Sequence, residues 1–144
     1  PERPLRIAIA GGGTGGHVSP GVAVLEELSS RLTIDPIWIG SKRGYERETA
    51  ERLNVPYKPI RVGKLRRYLS FANAVDAARI PIGIVDSWRH LRRHRPDLLF
   101  ATGGYVSTPA VIAAKRLRIP SLTHEPDGTT TLRAMAPISL RRSV

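Results

Sequence analysis

Cysteine is absent from this chain, which excludes disulfides and cysteine-ligated metals and fits a reducing compartment. Aromatic residues are scarce, at 6% of 144, and no recognisable nucleic-acid module accompanies them. No uninterrupted apolar stretch approaches the ~20 residues of a membrane span. The segment from Pro1 to Arg6 carries no apolar core of signal-peptide length. Acidic residues are also few: 12 against 23 basic ones, for a net charge of +11. Such an excess points to an anionic partner, and the lack of a nucleic-acid module turns attention to membrane surfaces and phosphorylated substrates. What is present is a 41% apolar, 24% charged chain of single-domain size, long enough to bury a real core.

Apolar runs that read as buried strands recur at Leu5–Ala10, Ile34–Ile39, Ile60–Val62, Leu98–Ala101 and Ser121–Thr123. Helical spacing fills the gaps at Val22–Leu32, Tyr45–Leu53, Phe71–His94 and Pro109–Leu117. Strands alternating with helices imply parallel pairing and right-handed crossovers. The fold class is therefore α/β, a Rossmann-like open parallel sheet with helices on both faces, in one domain over residues 1–144. Gly40 closes the second strand, and Pro96-Asp97 ends the long helix. Ligands of such sheets collect at the C-terminal edge of the strands. That edge should gather Gly11–His17, Ser41–Gly44, Gly103–Ser107 and His124–Thr129.

Five of the seven residues from Gly11 to His17 are glycine. The backbone there can turn tightly and approach a ligand with no Cβ in the way. The following helix would aim its free N–H groups and the positive end of its dipole at the loop, which suits an anion. His17, at the end of the loop, can exchange a proton near neutral pH. Gly11-x-Gly13-x-x-Gly16 also satisfies a dinucleotide fingerprint, a weak signal alone. No carboxylate that would hold a ribose follows the second strand until Glu46, although Lys42-Arg43 would suit a 2′-phosphate. Glycine and polar clusters after the first, fourth and fifth strands together look like a site.

The segment from Lys64 to Arg95 holds eight basic residues against two acidic ones. Within it, Val75, Ala78, Ile82, Val85 and Trp88 follow the three-four spacing of a core face, while Ile80 and Ile84 fall off that stripe. Pro81 should kink or restart the helix, since it removes a hydrogen bond. A kinked helix with spare apolar bulk beside Lys64, Arg66, Arg67 and Arg79 resembles an interfacial membrane patch, made with Phe71, Ile80, Ile84 and Trp88. The alternative is a buried crossover helix with a solvated basic face.

Three motifs, in order, carry a resemblance to a known family. Gly12-Gly13-Thr14-Gly15-Gly16-His17-Val18-x-Pro20-Gly21, Gly103-Gly104-Tyr105-Val106-Ser107-x-Pro109 and Ile119-Pro120-x-x-x-His124-Glu125 are similar to the N-terminal half of the MurG glycosyltransferases. The likeness runs from about Arg6 to about Ala136. It implies the N-terminal half of a GT-B fold, with a C-terminal donor-binding domain lying outside this chain. The implied reaction is inverting and metal-independent transfer of N-acetylglucosamine from UDP-GlcNAc to lipid I in peptidoglycan synthesis, with no cofactor. It further implies a peripheral place on the cytoplasmic face of the bacterial inner membrane, and no nucleic-acid partner. By the same resemblance His17 and Glu125 are candidate catalytic residues. Thr14, Gly15, Gly16, Gly103, Gly104, Tyr105 and Asp127 are candidates for substrate binding. Where familiar members read His-Glu-Gln-Asn, this chain reads His124-Glu125-Pro126-Asp127, so a carboxylate replaces an amide that can donate. The isolated half is expected to be inactive. A non-catalytic subunit that binds acceptor and membrane and recruits a separate donor-binding partner is the alternative.

Overall fold

A computed structural model describes residues 3–13, 15–62 and 71–124, with the side chains of 71–80 outside the description. Five strands and four helices alternate: β1 (Leu5–Ala10), α1 (Gly15–Arg31), β2 (Ile34–Ser41), α2 (Tyr45–Arg52), β3 (Tyr57–Ile60), α3 (Phe71–His94), β4 (Leu98–Ala101), α4 (Ser107–Arg116) and β5 (Ser121–Thr123). All strand pairs are parallel, in the order β3-β2-β1-β4-β5. The central strand is a nearly continuous apolar run because both of its faces are covered. Ile7 and Ile9 join Trp38 and Phe100 in a core under Val18, Leu25 and Ala50 of α1 and α2. Ala8 and Ala10 point the other way, to a core with Leu91, Ala110, Ala113 and Ala114 of α3 and α4. The expected open parallel sheet with helices on both faces is what the chain forms.

Three local expectations differ from the structure. The third strand is Tyr57–Ile60 rather than Ile60–Val62, because it lies at the sheet edge, where Pro59 interrupts no ladder. Helix α3 runs through Pro81 without a break, so no restart occurs; Pro81 is exposed, and only one helical hydrogen bond is forfeited there. The buried face of α3 holds Gly83, Ser87 and Leu91, while Ile82 and Val85 are 38% and 47% exposed. Ile84 and Trp88 are half-buried against the core cluster. Close approach explains the shift: a Cβ at Gly83 would lie 2.3 Å from the Arg61 carbonyl, so α3 meets the chain after β3 through its smallest residue. The Ser87 hydroxyl is satisfied within the helix by the Gly83 carbonyl at 2.8 Å.

The order of strands reverses between β1 and β4. Connections from β1 run outward through β2 to β3, and those from β4 run outward to β5. The loops leaving β1 and β4 are therefore thrown side by side at a topological switch point, where such sheets bind ligands.

Candidate active site

The glycine loop leaves β1 tied to both neighbouring strands. Gly11 N–H donates to the Ile39 carbonyl at 3.3 Å, and Thr102 N–H donates to the Ala10 carbonyl at 2.9 Å. The buried indole N–H of Trp38 donates to the Gly11 carbonyl at 3.1 Å. Helix α1 then starts at Gly15 with no acidic residue in its first turn. A helix N-terminus placed at the loop suits an external anion.

His17 stands one residue past Gly16, on the first turn of α1, and its ring lies over the turn after β4. A Cβ built on Gly104 would sit 3.1 Å from His17 Cδ2, and the Gly104 φ of +80° is one that other residues adopt only under strain. His17 Nδ1 is 3.2 Å from the Thr102 carbonyl. A carbonyl only accepts, so Nδ1 donates to it, and Nε2 is the ring nitrogen turned away from that bond. Gly15, Gly16, His17, Gly103, Gly104 and Tyr105 are thus brought to one edge, as expected from their places in the residue pattern. His124 follows β5 at the same edge, its N–H donating to the Ala101 carbonyl at 2.8 Å. Thr14, Glu125, Pro126, Asp127, Lys64, Arg66 and Arg67 lie outside the described residues, as do the side chains of Phe71, Arg79 and Ile80.

Two features escape the residue pattern. A cavity of about 450 Å³ opens beside the loop, lined by Gly13, Arg43, Tyr45, Arg47 and Tyr105 among others. Tyr105 is the inner wall, its ring within contact distance of Gly13. Burial, and then the charge of Glu46, push its phenol above the usual value, so it remains a neutral hydrogen-bonding group. The second feature is Glu46 itself, which is 0% exposed. Its carboxylate accepts from Ser41 N–H at 3.0 Å, Ser41 Oγ at 2.7 Å and Gly13 N–H at 3.2 Å. A carboxylate turned beneath the loop cannot grip a ribose above it, so Glu46 is not placed as the acidic residue of a dinucleotide site. Nothing in the residue pattern sets Glu46 apart from the other glutamates of α2, Glu48 and Glu51; its burial emerges only in the folded chain. No group of His, Asp and Glu among the described residues can hold a metal ion.

A glycine loop, an imidazole laid on a second glycine turn and a tyrosine-lined cavity meet at the switch point of an open parallel sheet, and that sheet matches the N-terminal halves of GT-B glycosyltransferases. Acinetobacter baumannii MurG superposes with a TM-score of 0.69 at 28% identity, over 85% of this chain and 34% of that one. The glycosyltransferase of kitacinnamycin gives a TM-score of 0.64 over 87% of this chain and 31% of its own; at 17% identity it speaks for the fold alone. The model of the glycosyltransferase family 28 N-terminal domain matches residues 7–141, and the chain belongs to that family. A Staphylococcus haemolyticus relative, a UDP-N-acetylglucosamine–N-acetylmuramyl-(pentapeptide) pyrophosphoryl-undecaprenol N-acetylglucosamine transferase, is 47% identical over 129 residues, or 88% of this chain. The chain spans about a third of the length of the curated relatives it matches, 36% in that case.

Proposed function

We propose that this domain supplies the acceptor side of a MurG-type transferase that moves N-acetylglucosamine from UDP-N-acetylglucosamine to lipid I. The observation that carries this reading is the His17 ring, laid on the Gly103–Gly104 turn with Nδ1 held by the Thr102 carbonyl. In the reaction, Nε2 takes the proton from an acceptor sugar hydroxyl as its oxygen attacks the anomeric carbon of the donor. The bond from that carbon to UDP breaks on the opposite side, and UDP leaves with the electron pair. Attack opposite the leaving group inverts the anomeric centre. The N-terminus of α1 faces the phosphate charge, so the scheme needs no metal. Glu125, Thr14 and Asp127 complete the proposed site, with Gly15 and Gly16 on the phosphate side and Tyr105 lining the acceptor's place.

The domain would work as a peripheral protein on the cytoplasmic face of the membrane, docked through Lys64, Arg66, Arg67 and the exposed face of α3. Among the described residues no helix is long and apolar enough to cross a membrane. Transfer to a lipid I analogue, measured with and without a separately supplied C-terminal domain, tests the proposal. The chain alone should show no appreciable turnover, and the paired domains should restore it. His17→Ala in the paired protein should cost about 100-fold or more in kcat, as removal of a general base does, with a smaller change in acceptor KM. Turnover within a few-fold of the parent would reduce His17 to a structural residue.

A further inference from the structure

We propose that Glu46 is a positioning residue of the glycine loop, an internal anion that fixes the peptide between Gly12 and Gly13 and confines the incoming phosphate to the N-terminus of α1. The part of this that concerns turnover rests on the functional reading above. The part that concerns the loop does not.

Burying an ionised carboxylate is costly unless hydrogen bonds replace its water. Among the described residues no ion pair reaches Glu46, and its compensation comes from Ser41 and the Gly13 N–H. An apolar side chain of similar volume would fill the space without that cost, so filling is not the role. The neighbouring glycines are shaped around the carboxylate. A Cβ at Gly12 would lie 2.2 Å from Glu46 Cδ, and one at Gly44 would lie 2.2 Å from Oε2. Gly44 has a φ of −145°, extended backbone open to any residue. Its missing Cβ therefore makes room for the carboxylate and serves no turn. Tyr57 closes the socket: its phenol donates to the Ser41 carbonyl, and burial followed by the Glu46 charge keep it protonated.

The consequence falls on the ligand. In an open phosphate loop, successive N–H groups wrap several phosphate oxygens. Here the Gly13 N–H is turned inward, and a fixed negative charge lies beneath the loop. The donors left for an external anion are those opening α1, next to His17. One anionic group is then held beside the base, and the phosphates of a nucleoside triphosphate are not wrapped.

Amide hydrogen exchange on this chain, with kinetics on the chain paired with a C-terminal domain, tests the assignment. In Glu46→Gln, whose amide cannot accept from Ser41 and Gly13 through both of its polar atoms, exchange at Gly13 should quicken about tenfold or more with the circular dichroism unchanged. Because a misplaced reacting group costs on the order of 100-fold per ångström, kcat should fall at least about tenfold, while KM for UDP-N-acetylglucosamine stays within about twofold. Gly44→Ala keeps the carboxylate but pushes it aside. It should reproduce both effects, and it carries the test if Glu46→Gln does not fold. Unchanged exchange at Gly13, or faster exchange with unchanged kcat, overturns the proposal. If the unmutated pair transfers no sugar, the functional reading fails instead, and exchange alone decides whether Glu46 holds the loop.

Discussion

At the scale of the residue, the site depends on backbone that only glycine tolerates at ease. Gly104 shows the coupling: its positive φ shapes the turn after β4, and its bare Cα leaves room for the His17 ring. Gly104→Ala should cost about 1–2 kcal/mol through left-handed strain alone. The added methyl, 3.1 Å from His17 Cδ2 and 3.2 Å from the Gly12 carbonyl, adds to that by moving the ring. Urea unfolding of this chain checks the first effect, and a shift in the His17 ring resonances checks the second. A loss of stability with the resonances unmoved would show that the turn and the ring are independent. Residues of this kind are legible in the sequence, because a glycine cluster after a strand has few other uses. Glu46 is not. One of two glutamates in the first turn of a polar helix reads as a surface carboxylate, and only the folded chain turns it inward against Gly12 and Gly44.

At the scale of the element, four of the five strands fall where apolar runs lie, because buried parallel strands are nearly continuous in apolar residues. β3 is displaced because Lys58-Pro59 breaks the run, and an edge strand accepts both. The face of α3 is hidden from residue spacing because spacing weighs large side chains, whereas this helix buries Gly83 and Ser87 where it meets the chain after β3. One ion pair secures that crossing. Asp86 on α3 accepts from the Arg61 backbone N–H at 3.1 Å and from its guanidinium at 3.0 and 2.9 Å. The guanidinium hydrogen bond holds the Asp86 carboxyl below its ordinary value, burial opposing it and the Arg61 backbone N–H assisting. A carboxyl lowered by folding stabilises the native state above its unfolded value of about 3.9, and that stability is lost as pH falls through the folded value. Asp86→Asn should therefore lower the thermal midpoint by a few degrees at pH 7. The gap should narrow below about pH 4, as the parent's own carboxyl is protonated. Arg61 is half exposed, so added salt should shrink the effect but not remove it. A gap that stays constant from neutral to acid pH would assign the loss to side-chain packing.

At the scale of the whole molecule, exposed basic and apolar side chains accompany one another on α3, where Arg89, Arg92 and Arg93 lie with Ile82 and Val85. Part of this is legible in the sequence, since a surplus of 11 positive charges is plain in the residues. Which apolar groups accompany it is not, because that depends on the rotation of α3. Among the described side chains of α3 the exposed large apolar ones are Ile82 and Val85, while Trp88 is half-buried and carries the Arg92 guanidinium 4.8 Å above its ring. A membrane-docking face built this way has two separable parts. Lys64, Arg66, Arg67 and Arg89 would be drawn to anionic headgroups over a Debye length of about 8 Å at physiological ionic strength. Ile82 and Val85 would each add on the order of 1 kcal/mol of apolar burial, which salt does not screen. Co-sedimentation with vesicles should therefore rise with the fraction of anionic lipid and fall as salt is added. Replacing Lys64, Arg66 and Arg67 by Glu should abolish the salt-dependent part. Replacing Ile82 and Val85 by Ser should lower binding at every salt concentration and leave the slope against salt unchanged. Equal sedimentation with neutral and anionic vesicles, indifferent to both sets of changes, would mean that the positive face of this domain is solvated and its membrane contact lies elsewhere.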